Sequence, residues 1–294
     1  MKLNIAKQRL LNQMLLKPAS DSPHDIVKWM GAVQAQDLAM CQWAVGMRMK
    51  HPALSAVKTA MDKGEIIRTH LNRCTWQLVA AEDVRWMIEL HRQRNIRGLN
   101  GWCRQNEGEP SASLIQESNQ LLRENLTGKS LTFEEIAPLY QQIGISDQHR
   151  MRHLLGYAEF HGVVCSGDGQ TNKRTYALLD ERVPLREHIS NEEAMRRLAT
   201  KYFRSHAPAT LADFVWWTGL TVTECKKAIQ QIASELTETK IGSEVYYLHK
   251  DNIVGRMTPH CLFLPPYDEL LLGYKDRSAV LDKEFVHKAH NTFG

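Results

Sequence analysis

One pattern limits what this chain can fold into more than any other: helix-starting signals that recur and lead repeatedly into the same succession of elements. Thr132 with Glu135, Ser190 with Glu193, Thr210 with Asp213 and Thr221 with Glu224 each set a hydroxyl three residues ahead of an acid, the spacing of a capping box. The helix opened at Thr132 carries Ile136, Leu139, Tyr140 and Ile143 inward and stops at Gly144. A second helix over residues 147–161 follows, with Met151, Leu154, Leu155 and Ala158 on its apolar face. Residues 163–166 and 175–179 then read as strands around a polar wing at 167–174. The helices opened at Ser190, Thr210 and Thr221 lead in the same way to a hairpin, strands 236–241 and 244–248 around Gly242-Ser243.

The first hundred residues repeat the scheme. Ser22, Pro23 and Asp25 are an N-cap, a first-turn proline and an N3 acid, so a helix is predicted from Pro23 toward Gln34. Helices over 38–49 and 52–63 follow, the latter closed by Gly64, and then strands over 65–70 and 74–79. A helix over 83–98 and a polar linker over 104–113 complete this part. Three tandem units of helices closed by a hairpin are winged helices by this reading, relatives of the helix-turn-helix that meet DNA through the third helix and the wing. Winged helices also serve as protein-binding modules.

One cluster has no obvious packing role. Gln34 lies one turn beyond Met30, and Gln36 follows at i+2, which puts both amides on one side if the chain there is extended. Two convergent amides grip a water or a base edge; the plainer alternative is capping and local backbone bonding. Asp37 is either a solvated turn residue or a source of negative charge beside that pair.

Composition closes off several classes. Six scattered cysteines with no Cys-x-x-Cys pair and no histidine at zinc spacing argue against a structural zinc, an iron–sulfur cluster or a disulfide framework. The N-terminal sixteen residues lack a signal-peptide core, and no run approaches membrane-spanning length. A formal charge of +4 permits a polyanionic partner without requiring one. Basic pairs stand at comparable places of the repeated units: Arg150 and Arg152 on a helix, Lys173 and Arg174 on a wing, Lys226 and Lys227 on a helix. Arg68, His70 and Arg73 sit on the first hairpin, where phosphate contacts are expected of the arginines and a structural role is the simpler reading for the histidine. Trp216 and Trp217 lie in an apolar helix and read as core.

These stretches together, Gln34-Ala35-Gln36, Arg68-Thr69-His70-Leu71-Asn72-Arg73, Thr75-Trp76, Asp213-Phe214-Val215-Trp216-Trp217 and Leu264-Pro265-Pro266-Tyr267-Asp268-Glu269, resemble the AlkZ-like (YcaQ-like) winged-helix DNA glycosylases over nearly the whole chain. The resemblance implies three tandem winged helices and a C-terminal β-barrel around duplex DNA, and removal of N-alkylated purines, cross-linked ones included. It places the catalytic signature, Gln, an apolar residue, then Gln or Asp, on Gln34 and Gln36. One position departs, since many relatives read Thr-Trp-His where this chain has Thr75-Trp76-Gln77. The family's barrel also continues past Gly294, so the chain is expected to hold only a truncated start of it.

The sequence therefore predicts a mainly α (α+β) chain divided into 1–104, the first winged-helix unit with flanking helices; 105–184, the second; 185–250, the third; and 251–294, the start of a β domain. The expected function is that of a monomeric, cytoplasmic, nucleoid-associated hydrolase of base excision repair that needs no metal or redox cofactor and no membrane. Its partner is double-stranded DNA with alkylated purines, with Gln34 and Gln36 catalytic. Arg68, His70, Arg73, Arg150, Arg152, Lys173, Arg174, Lys226 and Lys227 are the candidate DNA contacts. A non-catalytic winged-helix regulator and a protein-interaction scaffold are the rival readings.

Overall fold

The computed structural model describes residues 3–168, 174–183, 185, 188–255 and 261–289. In chain order the elements are α1 (Ile5–Asn12), α2 (Pro23–Met30), β1 (Val33–Gln34), α3 (Leu38–Gly46), α4 (Leu54–Asp62), β2 (Ile66–His70), β3 (Trp76–Ala80) and α5 (Ala81–Asn106). Next come α6 (Ala112–Leu126), β4 (Leu131–Thr132), α7 (Phe133–Gln142), α8 (Gln148–Phe160), β5 (Val164–Ser166), β6 (Thr175–Leu178) and α9 (Leu179–Arg182). Then follow α10 (Asn191–His206), α11 (Leu211–Thr218), α12 (Val222–Gln231), β7 (Leu236–Ile241), β8 (Glu244–His249), α13 (Glu269–Leu272) and α14 (Val286–Ala289). The fold is mixed α/β and helix-rich, with small sheets and no closed barrel among the described residues.

Contacts divide the chain into two compact units, one made of residues 1–57 and 190–294, the other of 58–189. In the first, α10 packs on α1, α2, α12 and β8. Its core holds Tyr202, Phe203, Phe214 and Trp217, whose rings meet at 5.0–5.2 Å. Capping boxes open α11 at Thr210 and α12 at Thr221, satisfying backbone donors that would otherwise be orphaned. The β7–β8 hairpin pairs antiparallel from Leu236 opposite His249 to Ile241 opposite Glu244.

The second unit places α8 against α5 and α6, with Tyr157 donating to Asn100 Oδ1 at 2.7 Å and Arg92 to the Phe160 carbonyl at 3.0 Å. A three-stranded sheet runs in the order β4–β6–β5, and β2 pairs with β3 from Ile66 opposite Ala80 to His70 opposite Trp76. The Thr132 capping box opens α7 as expected from sequence.

Several boundaries differ from the sequence reading. α2 stops at Met30, because Gly31 takes φ +82° and turns the chain, so Gln34 stands in a short extended segment and not at a helix end. α5 runs on to Asn106 through Gly98 and Gly101, absorbing the start of the expected linker. Its far end is held by buried Cys103 and by the ion pair of Arg104 with Glu109 at 3.0 Å. α6, which the sequence reading passes over, fills the stretch after that linker.

Residues 251–294 are expected from the sequence to begin a β domain. Among the described residues no strand follows β8, and the apolar run after Tyr267 forms one helical turn because the Asp268 side chain caps it, accepting from Leu270 N–H at 2.9 Å. The wing residues 169–173, Lys173 among them, lie outside the described residues.

Candidate active-site turn

The glutamine pair sits in the turn that joins α2 to α3, and three local devices shape it. Gly31 supplies the left-handed residue, and a Cβ there would stand 3.1 Å from Lys201 Cβ, closer than ordinary contact. Asp37 is the N-cap of α3 and accepts Met40 N–H at 3.0 Å, so the carboxylate beside the pair is occupied in starting a helix. Between them the Gln34 backbone N–H donates to Glu269 Oε1 at 2.7 Å, the short length typical of a charged acceptor. Gln34 is 6 % exposed and Ala35 wholly buried, whereas Gln36 is exposed. The turn therefore presents the Gln36 side chain at the surface, two residues after a buried Gln34 whose backbone N–H is tied to Glu269.

Beneath this turn lies a buried polar network that the sequence reading did not anticipate. Arg48 and Asp268, both fully buried, form a two-pronged pair with both N–O distances at 2.8 Å. Burial by itself would lower the Arg48 pKa, but the attraction and hydrogen bonds of Asp268 outweigh it and leave the guanidinium pKa raised. Arg48 also donates to the Ala44 carbonyl at 2.7 Å and to Gln13 Oε1 at 3.0 Å, and Gln13 in turn donates to the Tyr274 hydroxyl at 3.0 Å. Tyr274 donates to the His206 carbonyl at 2.8 Å and carries the Arg9 guanidinium 3.5 Å over its ring. Arg9 pairs with Asp213 at 3.3 Å. Burial pushes the phenols of Tyr202 and Tyr274 well above their ordinary range, so both remain neutral donors.

Signals for this network were present in the sequence. Trp217 does lie in the core, as read, yet its indole N–H is committed to Glu269 Oε2 at 3.0 Å. The run Leu264 to Glu269 supplies both buried acids, and Trp216 donates to the Leu272 carbonyl just beyond it at 3.0 Å. A buried acid is conspicuous in sequence only when its cationic partner is known, and Arg48 stands 220 residues away.

The remaining candidate residues of this unit, Lys226 and Lys227, are exposed on α12. In the second unit, Arg68 is 3 % exposed and stacks over Trp76 at 4.3 Å, and the exposed Arg174 lies 4.2 Å from the same ring. His70 lies on the Trp76 ring at 3.9 Å and bonds Glu159 through Nδ1, the structural partnership its strand position suggests. Arg73 occupies the β2–β3 turn at φ +55° and the following Cys74 is at φ +57°, two successive left-handed residues without a glycine. Arg152 is exposed over the Phe133 ring at 3.8 Å. Arg150, read as one of an exposed pair, is only 18 % exposed: it donates to the Gly108 carbonyl and lies 3.7 Å from Glu107, drawn down by the carbonyl and acid at the end of α5.

One group of side chains could hold a metal among the described residues: Cys103, Glu107 and His153, whose donor atoms lie within 4.8 Å of one another. Folding brings together a cysteine and a histidine 50 positions apart, which spacing rules applied to the sequence do not detect. Glu107 is already engaged by His153 at 2.5 Å and by the Arg150 cation, so a metal there would have to displace both.

Comparison with known proteins decides the family. The description "DNA glycosylase AlkZ-like" matches residues 27–290. The chain belongs to the AlkZ-like DNA glycosylase family. It is thus a DNA glycosylase. The interstrand DNA cross-link repair glycosylase of Streptomyces sahachiroi is 23 % identical to this glycosylase over 282 residues, covering 90 % of this chain and 75 % of the relative. The solved structure of the Streptomyces sahachiroi DNA glycosylase AlkZ shares its fold, with a TM-score of 0.80 at 21 % identity over all of this chain and 84 % of that one.

Proposed function

We propose that this glycosylase hydrolyses the N-glycosidic bond of purines alkylated at N7 or N3 in duplex DNA, interstrand cross-links included, using a water held by Gln34 and Gln36. The observation that carries the reading is the turn itself: an exposed amide at Gln36 follows a buried amide at Gln34, in a segment fixed by Gly31, by the Asp37 cap and by the Gln34 N–H bond to Glu269. A glutamine side chain does not accept a proton at neutral pH, so the pair would orient water through its oxygens. That suffices for this substrate class. An N-alkylated purine is cationic and leaves without protonation, and the protein has to supply only a placed nucleophile and an environment that tolerates an oxocarbenium-like sugar. Inclusion of cross-links follows the name of the Streptomyces sahachiroi relative.

Duplex binding is assigned in this proposal to winged-helix units formed by the helix-and-hairpin successions α7–α8–β5–β6 and α10–α11–α12–β7–β8. Lys226, Lys227, Arg152 and Arg174 are the exposed cations best suited to meet phosphates.

The test is single-turnover release of N7-methylguanine from a duplex by Gln34→Ala and Gln36→Ala variants, with duplex affinity and melting temperature measured on the same samples. Either substitution is expected to slow release about ten- to a thousandfold, the range for losing one positioned polar group, with affinity and melting temperature little changed. Asp at position 36 should keep part of the rate, since a carboxylate also holds water. Release at the parental rate by folded alanine variants would sink the catalytic assignment and leave a DNA-binding role.

A further inference from the structure

Glu269 is 2 % exposed, and both of its oxygens are committed to holding. Oε1 accepts the Gln34 backbone N–H at 2.7 Å; Oε2 accepts the Trp217 indole N–H at 3.0 Å and faces His206 Nε2 at 3.4 Å. Each of these partners is itself fixed. His206 stacks flat on Tyr202, with ring centroids 4.8 Å apart and planes inclined by 13°, and its Nδ1 lies 2.7 Å from Ser205 Oγ. A Cβ on Gly273 would stand 2.7 Å from the His206 ring and 2.6 Å from the Glu269 carbonyl, so only glycine lets this strap close over the histidine.

From the other side, the neighbouring Asp268 is held by Arg48 through two 2.8 Å bonds. Tyr267 just before it sits at φ +66°, a conformation costly for a tyrosine that persists only where the surroundings impose it. Packing alone does not call for this arrangement. A buried carboxylate is costly to desolvate, and an apolar side chain of the same volume would fill the space. What the acid supplies that an apolar residue does not is a charged acceptor aimed at one backbone N–H of the glutamine turn.

We propose that Glu269 is a positioning residue for catalysis: by clamping the peptide plane at Gln34 it fixes the separation and orientation of the two amides that place the water. This rests on the proposed role of Gln34 and Gln36, and it gives the Tyr267-Asp268-Glu269 run a function beyond the core. The acid next to the pair in sequence, Asp37, starts α3, and the acid that serves the turn comes from 235 residues away.

The experiment is a cycle of single-turnover release from N7-methylguanine duplex by the full chain, comparing the parent, Glu269→Gln, Gln34→Ala/Gln36→Ala and the triple variant. Glutamine preserves the size of Glu269 but gives it one N–H face, which must meet either the Gln34 or the Trp217 N–H, two donors head to head. Glu269→Gln is expected to slow release about tenfold or more while duplex affinity stays within about twofold, and the triple variant should be no slower than the Gln34/Gln36 double variant. The Gln34 amide resonance should move in Glu269→Gln, reporting the lost carboxylate bond independently of activity.

A parental rate in Glu269→Gln, or losses that multiply in the triple variant, would overturn the positioning role. If the Gln34/Gln36 double variant itself releases base at the parental rate, the water-placing reading fails, and that arm leaves Glu269 intact. Should Glu269→Gln not fold, Trp217→Phe decides: it loosens Oε2 and leaves the charge, so slower release at unchanged duplex affinity supports the clamp and a parental rate refutes it.

Discussion

Replacing Arg48 by methionine tests how the first unit is held together. The substitution keeps most of the buried stem and removes four hydrogen bonds, two at 2.8 Å to Asp268, one at 2.7 Å to the Ala44 carbonyl and one at 3.0 Å to Gln13. Asp268 is left fully buried with the Leu270 N–H it caps and no cation. Removing one partner of such a pair costs about 3–5 kcal/mol, because the remaining charge stays desolvated without compensation. Set against a typical stability of about 5–15 kcal/mol, that is at least about a fifth of the whole.

Adding Asp268→Leu to Arg48→Met removes the stranded charge. The Ala44 carbonyl and Gln13 Oε1 lose Arg48 in both variants, so the double variant adds only the uncapped Leu270 N–H, about 1–3 kcal/mol, in place of the stranded charge. The double variant is therefore expected to be more stable than Arg48→Met alone, with a coupling of about 2 kcal/mol or more between the two sites. Urea unfolding followed by far-UV circular dichroism and tryptophan fluorescence measures both quantities. A single-variant cost below about 1 kcal/mol, or costs that simply add in the double variant, would refute the claim that this pair anchors residues 261–289 to the rest of the first unit.

Three further outcomes are expected. Replacing Lys226 and Lys227 by alanine should flatten the slope of log affinity against log salt by up to about 2, and an unchanged slope would place α12 away from the duplex; Arg150→Ala, whose partners lie within its own unit, should leave the slope unaltered and lower stability instead. His249 accepts the Asp251 N–H through Nδ1 at 3.1 Å and faces Glu235 through Nε2 at 3.1 Å, an arrangement of the neutral ring, and burial lowers its pKa from 6.5, partly offset by the Glu235 bond. A folded-state pKa below the unfolded one contributes stability that is present above about pH 6.5 and is lost as pH falls, so hydrogen-exchange protection of β7 and β8 should weaken as pH is lowered below about 6.5, and His249→Gln should remove that dependence; protection that does not change with falling pH in the parent would refute it.

What the sequence determined by itself is local. Capping signals at Thr132, Ser190, Thr210 and Thr221 each start a helix in the structure, because a cap satisfies donors within its own first turn and needs nothing distant. The β7–β8 hairpin is likewise set by its two-residue turn, with Gly242 at φ +62°. The family could be recognised because its motifs are short runs of identities in a fixed order, and the glutamine turn could be singled out because no periodicity accounted for it.

Tertiary structure decided the rest. Gly31 ended α2 before Gln34, whereas the start signals at Ser22, Pro23 and Asp25 carried the predicted helix on toward Gln34. Residues 269–272 became a capped turn within the stretch expected to begin a β domain: Leu270 and Leu272 are buried, and among the described residues no strand follows β8. Residues 1–57 and 190–294 joined through Arg9 with Asp213 and Arg48 with Asp268, pairs more than 200 positions apart. A charge is costly to bury by itself and acceptable beside its partner, so which arginine and which acid enter the core is settled only when the folded chain brings the two together.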